Sequence, residues 1–233
     1  TDTGNSIGSS LFTYHCIKKY RRKLISNTAL LGPKYSNKYI ESVLIKRKVK
    51  YKKIVNHAKV ISKECFNGGV VAYFRNRLEF GDRSLGCRSI IADPRFEKTK
   101  DLINASIKYR EKYRPFAPSV IEEKADKFFE VKQGYKCKYM EKVIKVKAEF
   151  RKKLSAVTHY DGTGRLQTVS KKENLDFYNI LSEFEKLSGY PILLNTSFNM
   201  NGEPVVNSPD DALNTFFNCK LKTMVIGNFL IKK

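Results

Sequence analysis

The chain has 233 residues, enough for one large domain or one domain plus a fragment. Hydrophobic residues make up 41%, which supports a real core and excludes a disordered segment; no apolar run is long enough to cross a bilayer. The net charge of +22 raises nucleic acid as a partner, but the lysines are spread along the whole chain beside abundant Asn, Ile and Tyr. That mix is what an AT-rich genome encodes, and a binding stripe would be concentrated on one element.

The opening Thr1-Asp2-Thr3-Gly4 has neither an initiator Met nor a basic-then-apolar signal, and reads as a chain cut inside a longer one. Cys16, Cys65, Cys87, Cys137 and Cys219 form no CxxC pair; an odd, dispersed set points to reduced thiols and a cytoplasmic setting. Gly4 and Ser6 beside Asp2 predict a loop feeding a helix that starts near Ile7. Gly32-Pro33 marks residues 30–39 as a connector. Apolar spacing predicts a helix over 40–62, with His57 as a packed helical residue. Within it, Lys46 to Lys53 (KRKVKYKK) is either a binding stripe or a solvated helix face.

Gly68-Gly69 breaks that pattern, and Val70 to Phe74 is a strand. Residues 79–95 have no periodicity and read as a loop rich in Arg and Gly. Residues 100–109 return to helical spacing, which Pro115 and Pro118 end, and 119–121 extend into a strand. A short helix at 125–129 and strands at 139–147 and 156–159 follow. The clearest helix spans 174–187, with apolar residues three apart and Gly189 as its stop. Residues 191–194 are a buried strand running into a polar loop at 195–201. Ser208-Pro209-Asp210-Asp211 starts a helix: Ser caps, Pro takes the first position, and the acids face the positive dipole end. Two strands around Gly227-Asn228 close the chain. Alternating strands and helices make the class α/β or α+β.

Three polar segments lie at strand ends. Residues 77–95 hold Arg83, Arg88 and two glycines, Gly81 and Gly86; guanidinium forks match phosphate oxygens in pairs, and Gly lets the backbone approach a ligand. The bland alternative is a surface loop ion-paired to Glu79, Asp82 and Asp93. His159-Tyr160-Asp161-Gly162-Thr163-Gly164-Arg165 joins a titratable His and a carboxylate to another Arg, and Asn195-Thr196-Ser197-Phe198-Asn199 follows a strand and offers hydroxyl and amide donors. Ordinary turn chemistry is the alternative for both. No GxxxxGK[ST] and no HExxH is present, so neither a P-loop nor a zinc hydrolase is indicated.

In order, the chain reads RLEFGDRSLGCRSIIADPR (77–95), KYREKYRPFAPSV (108–120), VTHYDGTGRLQTV (157–169), YPILLNTSFNMNGEPVV (190–206) and SPDDAL (208–213). These five ordered segments resemble the C-terminal, YrdC-like domain of the O-carbamoyltransferases, the family of the nodulation-factor and aminoglycoside carbamoyltransferases. GPKYSNKYI fits as well, so the resemblance runs from about Gly32 to the C-terminus. It implies a twisted mixed sheet flanked by helices over 32–233. The opening DTGNSIGSSL resembles the last motif of a preceding ASKHA-fold domain, so residues 1–31 would be its helical tail.

The resemblance implies that this domain uses carbamoyl phosphate and ATP, with Mg2+, to form carbamoyl-adenylate. The ASKHA-type domain would then pass the carbamoyl group to a hydroxyl of a sugar or natural-product acceptor. Arg83, Lys108, Arg114, Arg165 and Ser197 match the family's substrate-handling positions, with Arg88, His159, Asp161, Asn195 and Thr196 assigned to the nucleotide. His159 and Asp161 read equally as proton-handling groups or as turn residues. Asp2 matches an acidic ligand of a divalent metal, Fe2+ or another, whose remaining ligands would lie in the preceding domain. The sequence departs from the family at Asp82 (usually Pro), Ser84 (usually Ala) and Cys87 (usually Asn); Asp82 puts a negative charge beside Arg83. A basic RNA-binding module and an inactive fragment are the competing readings.

Overall fold

The computed structural model describes residues 3–22 and 28–233. Asp2, the expected metal ligand, lies outside the described residues. Helix α1 (Thr3–Phe12) begins before the predicted Ile7 and continues as a π-helical turn, Thr13–Ile17. The helix predicted over 40–62 is two helices, α2 (Asn37–Lys46) and α3 (His57–Phe66), with strand β1 (Lys52–Lys53) between them. Lys48, with φ 53, makes the break, since an L-residue in the left-handed region cannot continue a helix. The KRKVKYKK tract therefore crosses a helix end, a turn and an edge strand, and forms no single stripe.

Strand β2 (Val70–Phe74) is as predicted. Strand β3 (Arg88–Ala92) was not, and it runs through the middle of the expected Arg-rich loop. Helix α4 (Glu97–Ile103) passes into a π-helical turn, Asn104–Lys108, that ends at left-handed Tyr109. Then come β4 (Ala117–Ile121), α5 (Ala125–Phe128), β5 (Lys142–Lys145) and α6 (Ala148–Arg151). Residues 156–159 are not a strand: Ser155–Val157 is a 3-10 turn, and the strand is β6 (Thr163–Val169). The last elements are α7 (Leu175–Ser188), β7 (Ile192–Ser197), α8 (Pro209–Asn218), β8 (Thr223–Ile226) and β9 (Phe229–Lys232).

The predicted stop of α7 at Gly189 and the predicted start of α8 at Ser208 hold for the stated reasons, and Asn174, expected inside α7, caps it. Asn174 Oδ1 accepts from Phe177 N at 3.1 Å, and Gly189 (φ 77) ends α7. Ser208 and Asp211 form a reciprocal capping box, with Pro209 opening α8. Strand β7 absorbs the first residues of the predicted polar loop, so Asn195, Thr196 and Ser197 stand on a strand.

The nine strands form one mixed sheet in the order β1-β9-β8-β2-β3-β7-β4-β6-β5. The β2–β8 and β4–β6 pairs are parallel and the rest antiparallel. Side chains alternate between two buried faces. Val71, Tyr73, Ile91, Leu193 and Val225 face α3 and α7. Ala72, Phe74, Ile90, Leu194 and Met224 face α2, α8 and their neighbours. Each fully buried Ile, Leu or Phe contributes about 1.5–3 kcal/mol, and a one-residue slip would exchange the two sets; burial on both sides fixes the register. Pro118 is tolerated inside the sheet because the ladder to β6 begins only at Ser119. All five cysteines are free thiols, and among the described residues no helix is long and apolar enough to cross a membrane.

Candidate functional site

Sheet order alone brings distant segments together. Strands β3, β7, β4 and β6 are consecutive neighbours, so the loops before β3 and β4, the start of β6 and the end of β7 meet. They enclose a cavity of about 430 Å³, within the range of small-molecule sites. Arg83, Lys108, Arg114, Arg165 and Ser197, all predicted, line it. So do His159, Asn195 and Thr196, from the predicted nucleotide set.

Lys108 ends the π-helical turn and is almost wholly buried. Its ammonium donates to Ser197 O (2.6 Å), Ser197 Oγ (3.2 Å), Asn199 O (3.0 Å) and Asn199 Oδ1 (2.6 Å). Burial, and next the charge of Arg110, push its pKa down to about 7. Ser197 Oγ donates to Asn199 Oδ1 at 2.7 Å, so one amide oxygen orients both site residues. Asn199 Nδ2 is held in turn by Glu203 O at 2.6 Å.

Arg165 is aimed by its Nε, which donates to Met140 O at 2.8 Å. Burial, then Arg83, lower its pKa, so the two guanidinium groups share one field. Arg83 pairs with Asp82 at 3.4 Å. The loop carrying Arg83 is drawn onto the sheet by buried polar groups. Glu79 accepts from Leu85 N (2.8 Å), Cys87 N (2.6 Å) and Arg88 N (3.2 Å). Asn195 Nδ2 donates to Ser84 O (3.1 Å) and Gln167 Oε1 (2.9 Å), and Gln167 Nε2 reaches Leu85 O (3.0 Å). Gly86 (φ 102) permits the close approach: a Cβ there would stand 2.2 Å from Phe177 Cδ1.

Two predicted residues do not join the cavity. Arg88 is completely buried on β3. It donates to the carbonyls of Arg75, Asn76, Cys87 and Pro33 and stacks on Phe74 at 3.7 Å, which leaves it a strut of the fold. Asp161 is exposed, and its Oδ1 accepts from Thr163 N (3.0 Å) and Thr163 Oγ1 (2.6 Å), closing the turn that carries His159. His159 is half-buried, with Nδ1 3.0 Å from Thr163 Oγ1; desolvation first, and Arg165 also, lower its pKa. The ion pairs of the bland reading exist at Asp82–Arg83 and Asp93–Arg95, whereas Glu79 binds backbone amides. Cys87 is buried beside Asn174 and away from the cavity, whereas Asp82 and Ser84 both line it, and of those two only Asp82 adds a charge.

Residues that the sequence reading missed are Arg110, which lines the cavity, and Gln167, which orients its wall; Asn199, from the polar segment that the sequence singled out, orients Lys108 and Ser197. Arg110 lies inside the KYREKYRPF segment, but nothing in the spacing says that it faces inward. Among the described residues, no group of three or more His, Cys, Asp or Glu side chains is placed to hold a metal ion. Asp82 and Glu141 are the carboxylates on the cavity wall.

Residues 62–233 match the family described as carbamoyltransferase C-terminus. The chain belongs to the carbamoyltransferase family. The nodulation protein NolO of Bradyrhizobium diazoefficiens is 49% identical over 168 residues, covering 72% of this chain and 31% of that protein. NolNO of Sinorhizobium fredii is 51% identical over 168 residues, covering 72% and 25%. An uncharacterized protein of Methanocaldococcus jannaschii, MJ1058, is 39% identical over 207 residues, covering 87% and 34%. This carbamoyltransferase C-terminal region thus spans about a third or less of the length of those relatives. Full-length HypF, solved in a phosphate- and nucleotide-bound form, shares the fold: the TM-score is 0.53 at 17% identity, over 76% of this chain and 26% of that one. The mixed α/β sheet is consistent with a YrdC-like fold.

Proposed function

We propose that this cavity binds carbamoyl phosphate and ATP and forms carbamoyl-adenylate. The observation that carries the reading is electrostatic. Arg83, Lys108, Arg110, Arg114 and Arg165 converge on one cavity, and among the described residues Asp82–Arg83 is the single carboxylate ion pair among them. Such an excess of cations is costly to assemble and is offset when polyanions enter.

Water first replaces the phosphate of carbamoyl phosphate, releasing phosphate and leaving carbamate. A carbamate oxygen then attacks the α-phosphorus of ATP, and pyrophosphate leaves. Two polyanions must approach each other, and the fixed guanidinium groups and Lys108 offset their repulsion and stabilise charge that builds on the phosphate oxygens. Ser197 Oγ and Thr196 offer neutral hydrogen-bonding groups at the end of β7. Magnesium would arrive on the ATP phosphates. Transfer of the carbamoyl group to a hydroxyl-bearing acceptor would fall to a preceding ASKHA-type domain.

The test is release of phosphate and pyrophosphate from carbamoyl phosphate plus ATP. Lys108→Ala and Arg114→Ala should each abolish release while circular dichroism shows an unchanged fold. Unchanged turnover in both variants would remove the assignment.

A further inference from the structure

A second cavity, of about 510 Å³, lies at the other end of the sheet. The first stands beside the starts of β3 and β4, whereas Val70 at the start of β2, Thr223 at the start of β8 and Lys232 at the end of β9 line the second. Strands β2 and β3 are antiparallel, with Val70 opposite Ala92 and Phe74 opposite Arg88, so the two cavities sit at opposite strand ends. The volume is that of a small-molecule site.

Its walls are apolar within and basic at the rim. Ile107 and Leu221 are buried and line it. Leu102 continues that surface outward: the core takes its neighbour Ile103 and leaves Leu102 49% exposed on the cavity. Lys220, Lys222 and Lys232 face the same space, and among the described residues Glu64 is the carboxylate side chain on its wall. Glu64 is already engaged, by Lys232 at 2.5 Å and by Thr223 Oγ1 at 3.4 Å. Lys220 and Lys222 have no side-chain acceptor and no ion pair among the described residues. Cations of one sign around a crevice with low-dielectric walls draw anions into it. A bare inorganic anion would leave the apolar wall wet, and a neutral apolar molecule would leave the two lysines unused.

The π-helical turn Asn104–Lys108 is a wall of both cavities. Ser106 and Ile107 face the second and Lys108 the first. Lys220 N donates to Ser106 O at 3.3 Å, which ties the lysine-bearing loop to that turn. An occupant of the second cavity would therefore touch the segment that carries Lys108.

We propose that this second cavity is a ligand site for a small amphipathic anion, with an apolar body against Ile107, Leu221 and Leu102 and an acidic head paired with Lys220 and Lys222. The inference is independent of what the first cavity binds.

The experiment is amide chemical-shift mapping of the full chain titrated with anilinonaphthalene sulfonate, an aromatic body with a permanent anionic head. Saturable shifts should appear at the amides of Gly68, Gly69, Ser106 and Thr223, with a Kd below about 1 mM. Lys222→Glu reverses a free charge at an exposed position and should weaken binding about 3-fold or more. Leu102→Glu places a carboxylate on the apolar wall and should do the same. Lys172→Ala, exposed and outside both cavities, should bind like the wild type. Inorganic sulfate should not saturate these amides. Shifts confined to α1 or to the first cavity overturn the inference, as does wild-type affinity in Lys222→Glu. Saturation by sulfate alone overturns the need for an apolar body. If Leu102→Glu does not fold, Leu102→Ala takes its place, and wild-type affinity in that variant overturns the apolar contact.

Discussion

Asp82 Oδ2 stands 3.4 Å from Nη2 of Arg83, and both side chains line the cavity. An anion that enters must share Arg83 with that carboxylate. The side chains are 51% and 41% exposed, so solvent screens the pair and holds its worth to about 0.2–1 kcal/mol. Asp82→Asn should therefore tighten ATP binding by roughly two- to five-fold at low salt, and the gain should shrink as ionic strength rises. Titrations at low and high salt check it. Weaker binding by the variant would instead give Asp82 a constructive role, such as a contact to a magnesium ion on ATP.

Lys108 makes the cavity sensitive to pH near neutrality. Its pKa of about 7 means that its charge is present below that value and lost above it. Sulfate, whose own charge is constant over this range, should bind more weakly as pH rises from 6 to 8.5, and Lys108→Met should flatten the profile. Folding stability moves the other way. The unfolded chain holds this proton up to the ordinary lysine range, so between about pH 7 and that range the unfolded state binds more protons and stability rises with pH. Below about 7 both states are charged and the burial penalty is fully present. Denaturant titrations at pH 6.5 and 9 should show a gain that Lys108→Met lacks.

Asn199 couples Lys108 to Ser197 through a single oxygen. Asn199→Asp keeps that acceptor and adds a negative charge 2.6 Å from the ammonium, which favours the charged lysine. The midpoint of the sulfate-binding profile should move to higher pH by about one unit. An unmoved midpoint would separate the titration from Lys108.

The β-rich run of β2, the Gly189 stop of α7 and the Ser208 cap of α8 were legible in the sequence because each depends on residues a few positions apart. Arg83, Lys108, Arg114, Arg165 and Ser197 were legible because their motifs come in a recognisable order, although their convergence depends on the β3-β7-β4-β6 neighbourhood. The rest turned on burial and on local backbone geometry. The helical spacing from Ile40 continues past a break that only the left-handed Lys48 creates, with no Gly or Pro to announce it. The π-helical turn and left-handed Tyr109 rotate Arg110 into the cavity, against any 3.6-residue period. Arg88 looks like its neighbour Arg83 in sequence, yet strand β3 carries it into the core.

That contrast between Arg83 and Arg88 gives the sharpest stability test. Arg88 is completely buried and donates to four backbone carbonyls, and burial lowers its pKa although Glu79 raises it. Arg88→Met would fill much of the volume and preserve contact with Phe74, but it would leave Glu79 as a buried carboxylate without its cation and several carbonyls without a donor. The expected cost is about 3–5 kcal/mol, the range for removing one partner of a buried charge pair. Arg83→Met, at a half-exposed position, should cost less than about 1 kcal/mol. Anion binding should divide the other way, with the folded fraction of Arg88→Met retaining pyrophosphate affinity and Arg83→Met losing it about 10-fold. Urea denaturation paired with calorimetry on both variants tests the two halves together. A stable Arg88→Met that no longer binds pyrophosphate would return Arg88 to the binding site.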